Sequence, residues 1–238
     1  TGIINITGTP SNGSATAASN NLVNINQSGN SAYVNLSITG STNDVTATTS
    51  GGSSNSITST ITGSSNSQGI SLTGGGANTA TLTQTGSSNI HNFSIIGSTN
   101  TYSSIINGDS NQFQLTCGDL MTSCSSSTIT ETVTGNLNTV SQTIKGQNIS
   151  STLAITGSSN QVTTNFTQSN STSNIAITGD ANNVNSTMNA TGGTGSTLGI
   201  NVLGSSNNIL TTQGGTIDST VKLQVTGTSN NITVHTTN

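Results

Sequence analysis

Apolar and polar residues alternate along this chain with a period of two, in runs of about seven residues punctuated by Gly and Asn. Counting back from each punctuating Gly, the residues at minus 2, 4 and 6 share one face of an extended strand, because successive side chains point to opposite sides. One series of such triads reads Val34-Leu36-Ile38, Ile57-Ser59-Ile61, Ala80-Leu82-Gln84, Tyr102-Ser104-Ile106, Ile129-Glu131-Val133, Ser151-Leu153-Ile155, Ser173-Ile175-Ile177, Leu198-Ile200-Val202 and Val221-Leu223-Val225. The alternate series reads Val45-Ala47-Thr49, Gln68-Ile70-Leu72, His91-Phe93-Ile95, Phe113-Leu115-Cys117, Val140-Gln142-Ile144, Val162-Thr164-Phe166, Val184-Ser186-Met188, Ile209-Thr211-Gln213 and Ile232-Val234-Thr236. Residues between them, such as Thr58-Thr60-Thr62 and Thr81-Thr83-Thr85, are polar and expected to face water. Such alternation predicts strands, with the triads forming a thin double-layered core.

The punctuation is periodic too. A Gly-x-x-Asn tag recurs roughly every 11 residues, and every second copy keeps its Asn: Gly40/Asn43, Gly63/Asn66, Gly86/Asn89, Gly108/Asn111, Gly135/Asn138, Gly157/Asn160, Gly179/Asn182, Gly204/Asn207 and Gly227/Asn230. Two strands and two corners make one coil of roughly 22 to 23 residues. The expected fold is therefore all-β, a two-sheet β-solenoid of about ten coils forming a single domain over 1–238. Stacked at about 4.8 Å, ten coils give a column on the order of 45 to 50 Å tall. Residues 1–21 read as an irregular N-terminal coil or connector, with a partial coil contributed by Ile4, Ile6, Val23, Ile25 and Gln27.

Gly suits a corner because it adopts left-handed backbone without steric cost, and Asn tolerates that conformation better than most. Asn at one corner of successive coils is expected to form an amide ladder, each side chain donating to the next. The second corner is looser. It keeps the tag at Gly52/Asn55, Gly75/Asn78 and Gly97/Asn100, shortens it at Gly146-Gln147-Asn148, loses the Gly at Gln168-Ser169-Asn170, and has Asp218 where Gly215 predicts Asn. An excursion over 117–124 falls at this same corner.

Composition sharpens the picture. Only 28% of residues are hydrophobic, 2% aromatic and 3% charged, unlike an average globular chain. The regular spacing of Val, Ile and Leu separates the chain from a flexible Ser/Gly linker. A net charge of −4 with two basic residues, Lys145 and Lys222, gives no footprint for nucleic acid. No run of about 18 apolar residues predicts a membrane span. The chain starts at Thr1 without Met, which reads as a removed leader and hence secretion, or as a fragment boundary. Cys117 and Cys124, with no His nearby, are expected to form a local disulfide in an oxidising compartment; two unpaired thiols are the competing reading.

The spacing resembles the curlin repeat of bacterial curli fibre subunits, Ser-x5-Gly-x-Gly-Asn-x-Ala-x3-Gln. Ser151-x5-Gly157-x2-Asn160-x-Val162-x3-Phe166 and Ser173-x5-Gly179-x2-Asn182-x-Val184-x3-Met188 follow it closely, and Ala80-x5-Gly86-x2-Asn89 keeps most of it. The resemblance covers nearly all of the chain after residue 22. It departs in identity: the second Gly of the turn is usually Ser or Thr, and inward Gln is replaced mostly by apolar residues, leaving Gln84, Gln142 and Gln213. Phage-fibre and adhesin-stalk repeats are similar in composition. The resemblance implies a secreted subunit that assembles with copies of itself, head to tail, into an extracellular or cell-surface filament of the functional-amyloid or biofilm-matrix kind, with possible matrix contacts.

Catalytic, metal or cofactor chemistry needs convergent groups, and the supply here is Asp44, Asp109, Asp119, Glu131, Asp180, Asp218, His91 and His235. Asp109 and Asp180 sit in corner tags, where Asp is an ordinary turn residue. The expectation is a non-enzymatic protein without cofactor or metal. Glu131 points inward by parity, which leaves three readings: a strand irregularity beside the Cys excursion, a hydrogen-bonded core Glu beside Ser104, or a functional acid. His91 is likewise read as a hydrogen-bonded core residue. Two further functions compete with the fibre. One is a phage or bacterial adhesin stalk, on a virion surface in the phage case; the other is an ice-binding solenoid using Thr rows.

Overall fold

A computed structural model describes residues 3–8, 12–18 and 22–237, apart from 41, 53, 64, 87, 109, 119, 120, 122, 123, 136, 158, 180, 191–194, 205, 216–218 and 228; for 3–8 and 12–18 it describes the backbone alone. Two parallel sheets face each other, and the chain alternates between them. One has eleven strands: β1 (Ile3–Gly8), β3 (Leu22–Ser28), β5 (Asp44–Ser50), β7 (Ser67–Thr73), β9 (Ile90–Ile96), β11 (Gln112–Cys117), β13 (Thr139–Gln147), β15 (Gln161–Ser169), β17 (Asn183–Ala190), β19 (Asn208–Gly215) and β21 (Asn231–Thr236). The other has ten: β2 (Asn12–Ala18), β4 (Tyr33–Thr39), β6 (Ser56–Thr62), β8 (Thr79–Thr85), β10 (Thr101–Asn107), β12 (Thr128–Thr134), β14 (Ser150–Thr156), β16 (Thr172–Thr178), β18 (Thr197–Leu203) and β20 (Thr220–Thr226). This is the two-sheet β-solenoid that the alternation predicts.

Every strand pairs in register with the strand two along in the chain. On the ten-stranded sheet, for example, Ile155 lies opposite Val133 on one side and Ile177 on the other. Inward triads therefore stack on inward triads, and a slip of one residue would turn an entire row to solvent. From β3 to β18, eight successive coils, all inward triads are buried. The ten coils counted from the sequence slightly exceed this closed core. On β19 the last inward residue, Gln213, is half-buried; the row Val221-Leu223-Val225 on β20 is half-buried; and Ile232 and Val234 on β21 are 46% and 50% exposed. β20 and β21 each have a neighbouring strand on one side only, and β19 lies between β17 and the exposed β21.

The N-terminal segment corrects one expectation. Residues 1–21, read as irregular, carry β1 and β2 in register with β3 and β4; Ala15 lies opposite Leu36 and Ala17 opposite Ile38. Gly13, Ala15 and Ala17 hold the register positions of Val34, Leu36 and Ile38, and residues this small do not stand out as a hydrophobic pattern. Pro10 lies outside the described residues.

The excursion between β11 and β12 is closed by a disulfide between Cys117 and Cys124, with Cα atoms 5.4 Å apart and both residues buried. Met121 on this excursion is almost fully exposed, whereas Asp119 lies outside the described residues. Insertions are confined to the second corner, as the sequence indicates. From β4 onward the first corner spans four residues each time the chain passes from the ten-stranded to the eleven-stranded sheet, whereas the second runs from two residues between β13 and β14 to ten between β11 and β12 (118–127).

Candidate functional site: stacking corners and a buried polar seam

Each tag Gly at the first corner has a positive φ that other residues rarely adopt, for instance +144° at Gly157 and +132° at Gly135. It also sits directly against the coil before it. A Cβ on Gly157 would lie 1.6 Å from the Gly135 carbonyl oxygen, and the same clash, at 1.3 to 1.6 Å, recurs at Gly63, Gly86, Gly108, Gly135, Gly179, Gly204 and Gly227. The column that starts at Gly40 is thus a close backbone stack that excludes any side chain. Amide N–H groups of these glycines donate to the next coil, as from Gly157 to the Thr178 carbonyl at 2.9 Å.

From Asn43 to Asn207 the Asn column is buried, but its bonding differs from the expected amide-to-amide ladder. Each side-chain N–H of Asn89, Asn111, Asn138, Asn160 and Asn182 donates to the carbonyl of its own corner Gly, at 2.8 to 3.2 Å. The Oδ1 accepts instead from the backbone N–H of the Asn one coil earlier: Asn66 from Asn43 and Asn89 from Asn66 at 3.4 Å, Asn207 from Asn182 and Asn230 from Asn207 at 3.2 Å. Nor does the Asn itself take the left-handed conformation. The residue before it does, Ser159 at φ 60° for Asn160 and Ser206 at 57° for Asn207. The left-handed residue interrupts the strand ladder, so the next backbone N–H needs a side-chain acceptor, and Asn supplies one while tying down the turn.

A second ladder runs along the looser corner. Ala32, Asn55 and Asn78 donate their backbone N–H to the Oδ1 of Asn55, Asn78 and Asn100 in turn, at 2.9 to 3.2 Å. Beyond Asn100 the acceptor becomes a serine hydroxyl: Asn100 donates to Ser127, Ile149 to Ser171, Ser171 to Ser196 and Ser196 to Ser219, at 2.9 to 3.3 Å. Asn148 and Asn170, read as tag residues, occupy the left-handed position instead, at φ 56° and 48°. Their exposed side chains bond to each other, Asn170 donating to Asn148. Asp218, read in place of an Asn, lies outside the described residues, and Ser219 is the acceptor there.

Inside the solenoid, glutamines of the eleven-stranded sheet reach across to the ten-stranded one. Gln68 donates to the Ser59 hydroxyl at 2.5 Å, Gln142 to the Glu131 carboxyl, and Gln168 to the Ser173 hydroxyl at 3.1 Å. Thr164 and Ser186 pair at 2.6 Å along their own sheet. Glu131 lies in a regular strand opposite Ser104, so the hydrogen-bonded core reading holds, with Gln142 as the partner and no strand irregularity. Burial pushes its pKa from 4.5 to about 8, with the Gln142 hydrogen bond opposing the shift.

His91, also inward, stacks on Phe113, its register partner, at 5.1 Å between ring centroids, and the Tyr102 hydroxyl meets its Nε2 at 3.5 Å. Burial lowers the His91 pKa to about 3 and, together with the Glu131 charge, raises Tyr102 well above 10. In all three, burial favours the uncharged form. This cluster stores polarity in the core without reaching solvent.

Asp109 and Asp180, like Asp119 and Asp218, lie outside the described residues. Among the described residues no group of three His, Cys, Asp or Glu side chains converges to hold a metal ion, and no helix is long and apolar enough to cross a membrane. Comparison with protein-family models, curated proteins and solved structures finds no match for this chain.

Proposed function

We propose that this chain is a structural subunit of a secreted, extracellular filament, in which solenoids stack end to end through the same contacts that stack their coils. One observation carries the reading. The coil-to-coil contact repeats almost unchanged along the described residues, with parallel strands in register on both sheets, a close Gly column at one corner and backbone bonds from each coil to the next. An open strand edge with an apolar inward row is a template for another strand. A second copy of the chain supplies a matching in-register row, with parallel polarity fixed by the direction of the corner ladders. The spacing resemblance to curlin repeats supports the same assignment.

Electron microscopy of the purified protein, with fibre diffraction, tests it. Filaments with a reflection near 4.8 Å along the axis are expected. A stable monomer at high concentration overturns the reading, and trimeric rods carrying a separate head replace it with the adhesin-stalk alternative.

A further inference from the structure

The two outer faces of the solenoid differ in a way that stacking does not require. On the ten-stranded sheet every outward position of β8 is threonine (Thr79, Thr81, Thr83, Thr85), and so is every outward position of β12 (Thr128, Thr130, Thr132, Thr134). The neighbouring β6 adds Thr58, Thr60 and Thr62. Register aligns them in rows that run across strands. The first outward position is a hydroxyl residue without a break from Ser56 through Thr79, Thr101, Thr128, Ser150, Thr172 and Thr197 to Thr220. A second row at the far end of the strands includes Thr62, Thr85, Thr134, Thr156 and Thr178, with Asn107 between Thr85 and Thr134.

General β-propensity does not account for this, because it would favour Thr on both faces. The eleven-stranded sheet instead presents a mixture that includes Asp44, Gly69, Ile90, Gln112, Lys145 and Asn165. Thr has one strongly restricted χ1, so its methyl and hydroxyl are held at fixed points on a rigid sheet. Successive points are about 4.8 Å apart across strands and about 6.7 Å apart along them, in a field about 20 Å wide. Hydroxyls anchor water by single hydrogen bonds, and the methyls between them restrict the orientation of the water they touch. Ionised groups would impose radial hydration shells instead, and β6 to β16 carry none on this face.

We infer that the Thr-covered outer face of the ten-stranded sheet binds the surface of ice, holding a layer of ordered water in the geometry of its rows. This does not rest on filament formation, since the face is lateral and remains open in a single solenoid and in a stack alike.

The test is ice-growth inhibition by the full-length protein, read as thermal hysteresis and as suppression of recrystallisation. A freezing gap and faceted ice crystals are expected. The double variant Thr81→Lys/Thr130→Lys, at two exposed positions, should abolish both, whereas Thr163→Lys on the opposite face should leave them intact; circular dichroism checks that each variant folds. Absence of any effect on ice at millimolar wild-type protein overturns the inference, as does an equal loss from Thr163→Lys. Retention on an insoluble polysaccharide with no effect on ice also overturns it and would reassign the face. Filaments without ice activity would refute this inference and leave the structural role standing, and the converse would separate them equally.

Discussion

Replacing Gly157 by Ala tests the close backbone stack at the first corner. The new Cβ would meet the Gly135 oxygen at 1.6 Å and its carbonyl carbon at 2.6 Å. Ordinary contact lies near 3.5 Å, so coils would have to part by nearly 2 Å, a large fraction of the roughly 4.8 Å strand spacing. Parting them breaks the bond from the Gly157 N–H to Thr178 and strains that from Gly135 to Thr156. Each buried unmade bond costs about 1 to 3 kcal/mol, and forcing Ala to φ +144° adds about 1 to 3. The expected loss is about 4 kcal/mol or more, against the 5 to 15 kcal/mol typical of a whole domain. Gly69 is the control, because it lies on an outward strand face where a Cβ meets nothing closer than the Val45 oxygen at 4.0 Å. Gly69→Ala should be neutral or stabilising by a few tenths of a kcal/mol, since Gly weakens a strand interior. Urea unfolding followed by circular dichroism measures both. If Gly157→Ala unfolds within about 1 kcal/mol of Gly69→Ala, the first corner is not a backbone stack and the reasoning fails.

Stability should form a plateau between about pH 4.5 and pH 6.5. Glu131, raised from 4.5 to about 8, withdraws stability as pH rises through that interval, and His91, lowered from 6.5 to about 3, withdraws it as pH falls from 6.5; their slopes cancel on the plateau, leaving loss of about 1.4 kcal/mol per pH unit on either side. Tyr102, raised above 10, stays neutral throughout, and Glu131→Gln should erase the alkaline limb in pH-dependent urea titrations. Cys117→Ser/Cys124→Ser should cost about 2.5 kcal/mol from loop entropy at a separation of 7 residues, read as a lower denaturation midpoint that matches the reduced wild type. Ser171→Ala, which removes the acceptor of the Ile149 N–H at 2.9 Å, should cost about 1 to 2 kcal/mol by the same assay and expose that amide to hydrogen exchange. Leu137, exposed and held at φ 55°, should stabilise the protein by about 1 kcal/mol when replaced by Asn, seen as a higher thermal midpoint.

The strands and their inward faces were legible because period-two alternation and burial obey the same geometry, so even the polar inward residues Gln68, His91 and Glu131 fell where parity put them. The first corner was legible because only Gly fits there. The second was not, for a chemical reason. Its requirement is an oxygen acceptor at the last corner position, which Asn55, Asn78 and Asn100 meet with an amide and Ser127, Ser171, Ser196 and Ser219 with a hydroxyl. A search for Asn follows the letter and so misplaces Asn148 and Asn170 by one position. A search for Ser or Asn immediately before each outward Thr or Ser that opens a strand would have found it. Bond direction was also illegible, since a column of Asn is compatible with amide-to-amide and amide-to-backbone ladders alike.

A stack of near-identical coils faces a problem that alternation alone cannot solve. A slip of one residue is forbidden because it turns the core outward, but a slip of a whole coil preserves the inward parity and the Gly and Asn columns of the first corner. What distinguishes one coil from the next lies in the singular groups of the core. Tyr102 has its hydroxyl against His91, His91 stacks on Phe113, and Glu131 receives Gln142. Displaced by one coil, the Glu131 carboxyl would face apolar residues or the Thr164 level, and the loss of its partner would leave a buried polar group costing several kcal/mol. The buried polar seam, costly in itself, thereby penalises misregistered stacks more than the native one.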